Sequence, residues 1–386
     1  MKLRAASNLE AAIWWSIICE PGDELAGFLR QAIGYQNALR CISELTPAQQ
    51  LRELAQTEQF ESAQARFGDI ERTIRESSER YLPRLNSAEF ARAMRFYETR
   101  PTWITSAQDS DWPGQLNDLG WGAPACLWGL GDRTNLAFLD DSVAVVGSRG
   151  ATEYGRWVTV DFVTELVAAG KVVVSGGAFG IDAIAHRAAL DVEGRSVAVM
   201  AGGLERLYPS GHSELFESLA KSGLILSELS PDKSPTKWRF LLRNRIIAAL
   251  SRVTVVIEAG ARSGAINTVN HANGMGRPVA AVPGAITSSA SVGTNRLIAE
   301  NAASLVTSAG DILALTGEAT LFEWDVEAID LGPSQKRALD ELSHRPRTLV
   351  EVATLAGLTQ GEASRALAQL CLVNAAREVA DGYVRV

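Results

Sequence analysis

Between residues 136 and 315, short apolar runs alternate with amphipathic stretches. The runs are Val143–Gly147, Lys171–Ser175, Ser196–Gly202, Leu224–Glu228, Val253–Glu258 and Pro278–Val282. Each is strand-sized and nearly continuous in apolar residues, the pattern of strands covered on both faces. Between them, Thr152–Ala169, Ala178–Leu190, His212–Ser222, Phe240–Leu250 and Ala265–Met275 carry helical spacing. Strand–helix alternation predicts an α/β fold with a doubly wound parallel sheet. Ligands on such sheets bind outside the carboxyl ends of the strands.

The flanking regions have other patterns. Residues 1–105 are rich in Ala, Leu, Glu, Arg and Gln and read as a helical domain. Thr46-Pro47 is a cap followed by proline at the first helical position. A Gly-, Trp- and Pro-rich stretch from 106 leads into a central domain that ends near 315. Four of the nine tryptophans fall between Trp103 and Trp128, and the favoured expectation is that they cover an edge of that domain rather than stack on bases. A linker is expected over 316–333, with an isolated Phe322–Trp324 pair. Residues 334–386 read as three short helices, two of them capped by Thr348 and Thr359, and a hairpin turning at Asp381-Gly382. That order predicts a winged-helix variant of helix-turn-helix.

Composition narrows the function. Of 386 residues, 46% are hydrophobic and 21% charged, which is globular rather than disordered. No apolar run approaches the roughly 18–20 residues that span a bilayer. The start, MKLRAASNLEAAIWW, has no signal-peptide core, so a cytoplasmic location without membrane partners is expected. Cys19, Cys41, Cys126 and Cys371 form no CxxC pair, and His186, His212, His271 and His344 are dispersed. Neither a disulfide framework nor a metal site is expected, and no cofactor is implied. The net charge of −8 argues against a simple polyphosphate binder, but a local basic groove can hide within it.

Four segments carry candidate chemistry. In VAVVGSRG, Gly147 and Gly150 allow close backbone approach, Ser148 and helix-start amides can hold a phosphate oxygen, and Arg149 can bind one bidentately. The bland alternative is a tight turn with a surface arginine. In VVVSGGAFGIDAIAH, Ser175, Gly176, Gly177, Phe179 and Gly180 precede a helix as a phosphate cradle would, though without GxGxxG order or a P-loop lysine. Asp182 and His186 share a helix face; loop ordering is the favoured reading over catalysis. From Asp232 to Arg262, seven Lys or Arg (Lys233, Lys237, Arg239, Arg243, Arg245, Arg252, Arg262) face two acids, a local charge of +5. Trp238 and Phe240 interleave with these cations and Asn244 separates Arg243 from Arg245, a composition suited to single-stranded nucleic acid. A solvated basic helix end is the alternative. Finally, Arg262, Ser263 and Gly264 open a helix after Glu258, which would place another anion site in the same crevice.

Together these segments resemble the DNA-processing protein A family (DprA, also called Smf). The resemblance rests on VGSR, the SGxxxGID…AH segment, GGLERLYP at 202–209, LSE at 226–228, RNRII at 243–247, EAGARSGAINT, GRPVAAVPG, and GTNRLI at 293–298. It implies a Rossmann-like domain, an N-terminal domain of SAM or helix-hairpin-helix type, and a C-terminal winged helix. It implies a non-enzymatic single-stranded DNA binder that protects incoming DNA and helps load the RecA recombinase in natural transformation. The implied partners are single-stranded DNA, RecA, single-stranded DNA-binding protein and a second copy of the chain, joined through the central domain. By motif match, Arg149, the Gly176–Gly180 loop and Arg243 to Arg245 are the DNA contacts, with Lys237 and Arg239 as weaker carry-overs. Two departures stand out: Leu241-Leu242 where the family carries a proline before RNR, and Phe179 where its loop carries arginine. The competing reading is a protein that binds or hydrolyses nucleotides, as Rossmann-like phosphoribohydrolases do, but their PGGxGTxxE signature is absent. The C-terminal unit carries seven Lys or Arg and six acids, and so is expected to contact protein rather than read duplex DNA.

Overall fold

A computed structural model describes residues 7–317, 331–343, 345–372, 375–379 and 381–385. The Phe322–Trp324 pair, most of the expected linker and His344 lie outside the described residues. The described residues up to Gly317 form one compact unit and those from Leu331 a second.

Seven helices open the first unit: α1 Asn8–Ile18, α2 Glu24–Ile33, α3 Tyr35–Glu44, α4 Pro47–Leu54, α5 Phe60–Phe67, α6 Ile70–Tyr81 and α7 Ser87–Thr99. Thr46 caps α4 in a reciprocal box with Gln49, as Thr46-Pro47 predicts. Helix α1 is buried along its length, Ala11 to Ile18, because it is covered on several sides. Trp14 stacks on Phe90 with ring centroids 4.4 Å apart. Trp15 donates to the Tyr35 carbonyl at 3.1 Å, and the Tyr35 hydroxyl donates to the Ala125 carbonyl at 2.8 Å.

Nine strands form one sheet: β1 Thr102–Thr105, β2 Leu127–Gly131, β3 Ser142–Val146, β4 Val172–Ser175, β5 Ser196–Val199, β6 Leu224–Ser227, β7 Val253–Val256, β8 Val279–Ala281 and β9 Ser304–Leu305. Their spatial order is β1-β2-β6-β5-β4-β3-β7-β8-β9. Strands β3 to β9 pair in parallel, whereas β1 and β2 add antiparallel pairs at one edge. The six predicted runs are β3 to β8. The antiparallel edge extends the predicted parallel sheet by two strands. Its strands lie in the Trp-rich lead-in, where glycine masks the strand pattern. Gly129 makes room for the Trp103 ring, since a Cβ there would lie 2.2 Å from Cζ2.

Helices α8 Glu153–Ala168, α9 Ile181–Asp191, α10 Ser213–Ser222, α11 Lys237–Leu250, α12 Ala265–Gly274, α13 Val292–Ala299 and α14 Ala309–Leu315 cover the sheet. Strand alternation divides the core by face. Val143 and Val145 pack with α8 and α9 through Phe162, Leu166 and Ile181. Ala144 and Val146 pack with α11 and α12 through Ile246, Leu250 and Val269. Towards β6 a further apolar cluster joins Ala198 and Ile225 to Phe216 of α10 and to Trp15 of α1, so the N-terminal helices share a core with the sheet.

The second unit comprises α15 Pro333–Asp340, α16 Leu349–Leu355, α17 Gln360–Leu372 and the antiparallel pair β10 Ala376–Val379 and β11 Gly382–Arg385. Ala338, Val352, Leu367 and Ala376 are among its own core residues. Thr348 and Thr359 cap α16 and α17, each bonded to a glutamate three residues on.

Candidate nucleic-acid interface

Strand β3 feeds α8 on one face of the sheet, and β7 feeds α12 on the other. The chain therefore parts at their carboxyl ends, leaving a cleft of about 840 Å³. The predicted runs overshoot the strands here. Gly147 leaves the sheet and lines the cleft, and Ile257-Glu258 lie buried beyond the end of β7.

Backbone bonds clasp these ends together. The Ser148 amide donates to the Glu258 carbonyl at 2.8 Å, and the Ile181 amide donates to the Ser148 carbonyl at 3.1 Å. Glu258 is buried, and its carboxylate accepts from the Thr152 amide at 2.9 Å and from the Thr152 hydroxyl at 2.5 Å. Gly155 is required beside it, since a Cβ there would lie 2.2 Å from Oε2. The start of α8 thus holds an internal anion through Thr152.

The glycine loop behaves in the same way. Asp182 accepts from the Gly176 amide at 3.2 Å and from the Ala178 amide at 3.4 Å. Those amides are engaged, and Asp182 orders the loop. Burial raises its carboxyl above the usual range, against the pull of Arg243. Gly177 packs on Phe216, and Gly180 abuts the Ser148 carbonyl. Ser175 is buried and donates to the Val145 carbonyl at 2.6 Å. His186 does not pair with Asp182: its Nδ1 lies 2.7 Å from Ser196 Oγ, and burial pushes its pKa down to about 3. It is a neutral core group.

The basic cluster separates into two sets. Arg149, Lys237 and Arg262 are exposed on the cleft and make no ion pair among the described residues. The Arg149 guanidinium lies 5.0 Å from the Phe240 ring centroid, within cation–π range. Arg243 also lines the cleft but is buried. It donates to the Gly176 carbonyl at 2.7 Å, to the Val199 carbonyl, and to Asn244 Oδ1 at 3.2 Å. Burial lowers its pKa to about 10, so it stays charged at neutral pH. Asn244 donates to the Gly264 carbonyl at 3.3 Å and to Asn267 Oδ1 at 3.2 Å, tying α11 to α12.

The other set is internal. Arg239 grips Glu20 with bonds of 3.0 and 3.1 Å. Arg245 is buried against Glu228 at 2.5 Å, Lys233 meets Glu89 at 2.8 Å, and Arg252 donates to the Asp140 carbonyl at 2.5 Å. The structure therefore brings Gly147, Ser148, Arg149, Lys237, Arg243, Asn244, Arg262, Ser263 and Gly264 together. It does not bring Arg239 or Arg245 to them. Phe179 stands exposed at the tip of its loop. Leu241 and Thr268 complete the wall, with Phe240 beneath Arg149. Phe240 is legible from its place among cations, whereas Thr268 carries no local signal.

The family model of DNA recombination-mediator protein A matches residues 103–317, more than half of the chain. The chain belongs to the DNA-processing protein A family. A putative DNA processing protein DprA of Mycobacterium tuberculosis is 42% identical over 276 residues, covering 68% of this chain and 69% of that one. The DNA processing protein DprA of Bacillus subtilis is 35% identical over 239 residues, covering 62% and 78%. The X-ray structure of DprA from Streptococcus pneumoniae superposes with a TM-score of 0.61 at 31% identity, covering 81% of this chain and 98% of that one. The family's α/β fold, with a mostly parallel sheet and N-terminal helices, is the fold seen here. Among the described residues, no helix is long and apolar enough to cross a membrane.

Proposed function

We propose that this chain binds single-stranded DNA in the cleft at the carboxyl ends of β3, β4 and β7, without chemical turnover. The observation that carries this is the convergence of exposed, unpaired Arg149, Lys237 and Arg262 around buried Arg243. Among the described residues, Asp182 is the one acid lining that cleft, and it is held by two amides. Cations beside a half-buried aromatic ring, Phe240, suit a strand whose phosphates bind charge and whose bases splay apart. A mononucleotide site would grip phosphate with helix-start amides. Here Glu258 takes the Thr152 amide that precedes α8, and Asp182 takes two amides of the glycine loop, which favours the strand.

In this reading the protein shields incoming DNA during transformation and passes it to RecA, acting in the cytoplasm as a homodimer joined through the sheet-bearing unit. The C-terminal unit is a winged helix that contacts protein. Titration of the purified chain against labelled single-stranded and duplex oligonucleotides of equal length, at two salt concentrations, tests the binding claim. Tighter, salt-sensitive binding of the single strand is expected. Equal affinity for both, or preference for the duplex, contradicts it. Loading is tested by recombinase filament formation on strands precoated with single-stranded DNA-binding protein: acceleration is expected, and no effect removes the hand-over role.

A further inference from the structure

Phe179 is 51% exposed. Its loop is docked on the cleft. Ala178 before it lines the cleft, and Gly180 after it lies against Ser148 and Arg149, where a Cβ would approach the Ser148 carbonyl oxygen to 2.2 Å. The ring is also fixed in place. Its centroid lies 4.4 Å from that of His212, edge to face, and its Cζ would touch a Cβ at Gly211 at 3.5 Å. His212 is buried, with Nδ1 3.1 Å from the Gly177 carbonyl oxygen. That bond holds the loop without help from the Phe179 ring. Tyr208, 50% exposed on the loop after β5, sets its ring 5.8 Å from Phe240 of the cleft wall.

The cleft's cations recognise phosphate, which every nucleotide shares. A fixed, half-exposed ring on the loop that abuts the Ser148-Arg149 turn offers the complementary surface, an apolar face with little rotamer freedom to lose. The geometry points to a nucleobase-stacking subsite built on Phe179, which takes one base of a strand whose phosphates run past Arg149. This subsite rests on the strand-binding reading above and adds the means by which bases, rather than charge alone, contribute to grip.

The test compares two labelled strands of equal length, oligodeoxythymidylate and a chain of abasic deoxyribose-phosphate spacers. Each is titrated across a salt series with the wild-type chain, Phe179→Ala and Phe179→Trp. Phe179→Ala weakens binding of the base-bearing strand on the order of tenfold, the scale of losing one stacked base. It leaves the salt slope and the affinity for the abasic strand unchanged, and Phe179→Trp restores wild-type affinity. Wild-type affinity of Phe179→Ala for oligodeoxythymidylate overturns the subsite. So does an equal loss on both strands, which would make the ring a loop support. If the wild-type chain holds neither strand, the strand-binding reading fails and the subsite with it.

Discussion

Arg243 shows how much a motif leaves unsaid about one side chain. Its place in RNR marks it as a phosphate contact, yet its guanidinium is buried and caps two backbone carbonyls. Arg243→Ala leaves those acceptors without a donor, and so costs about 1–3 kcal/mol of stability as well as affinity. Lys237→Ala, at an exposed site, lowers affinity with stability unchanged within about 0.5 kcal/mol. Paired thermal melts and titrations separate the two; similar melting losses in both variants contradict the assignment. His186 makes a different prediction. Its folded pKa of about 3 lies below the ordinary 6.5, so between those values the unfolded chain holds a proton that the folded chain refuses. Stability from this group is complete above pH 6.5 and is lost as pH falls towards 3, by up to about 1.4 kcal/mol per pH unit. Asp182, raised by burial, acts in the opposite sense just above its unfolded value. His186→Gln therefore has a shallower loss of stability between pH 6.5 and 3 than the wild type, read by denaturant midpoints; equal slopes contradict a buried neutral histidine. None of this burial is visible in sequence, because a charged residue reads alike whether it faces water or a carbonyl.

At the scale of elements the sequence was far more legible. β3 to β8 and the helices between them follow from apolar runs and helical spacing, because strands buried on both faces leave an unmistakable signal. The antiparallel edge did not follow, since Trp103 and Gly129 fit one another across strands that neither reveals alone. The glycine-rich turns were legible as turns but not as packing. Gly180 has φ +77°, and a side chain there would collide with the Ser148 carbonyl at 2.2 Å. Gly180→Ala is expected to destabilise by about 1–3 kcal/mol from backbone strain alone, and to weaken strand binding by displacing the Arg149 turn. Urea unfolding and titration check both; a variant with wild-type stability shows that the turn tolerates the shift.

Across the whole molecule, charge is sorted by the fold rather than by the chain. A net charge of −8 coexists with a basic cleft because acids of the N-terminal helices and the lead-in take up cations that local composition counts as free. Glu20 takes Arg239, Glu89 takes Lys233 and Asp118 takes Arg277, each partner distant in sequence. The local +5 was readable; which members of it face the cleft was not. On the proposed reading, the unpaired cations hold the strand and the paired ones hold the protein. The most direct test is the slope of log affinity against log salt for single-stranded DNA, measured on the wild type, Arg149→Ala, Arg262→Ala and Arg239→Ala. Removing one phosphate contact lowers the magnitude of that slope by about 0.7. This loss is expected for Arg149→Ala and Arg262→Ala, and a wild-type slope for Arg239→Ala. Unchanged slopes at Arg149 and Arg262, or an equal loss at Arg239, would contradict the reading.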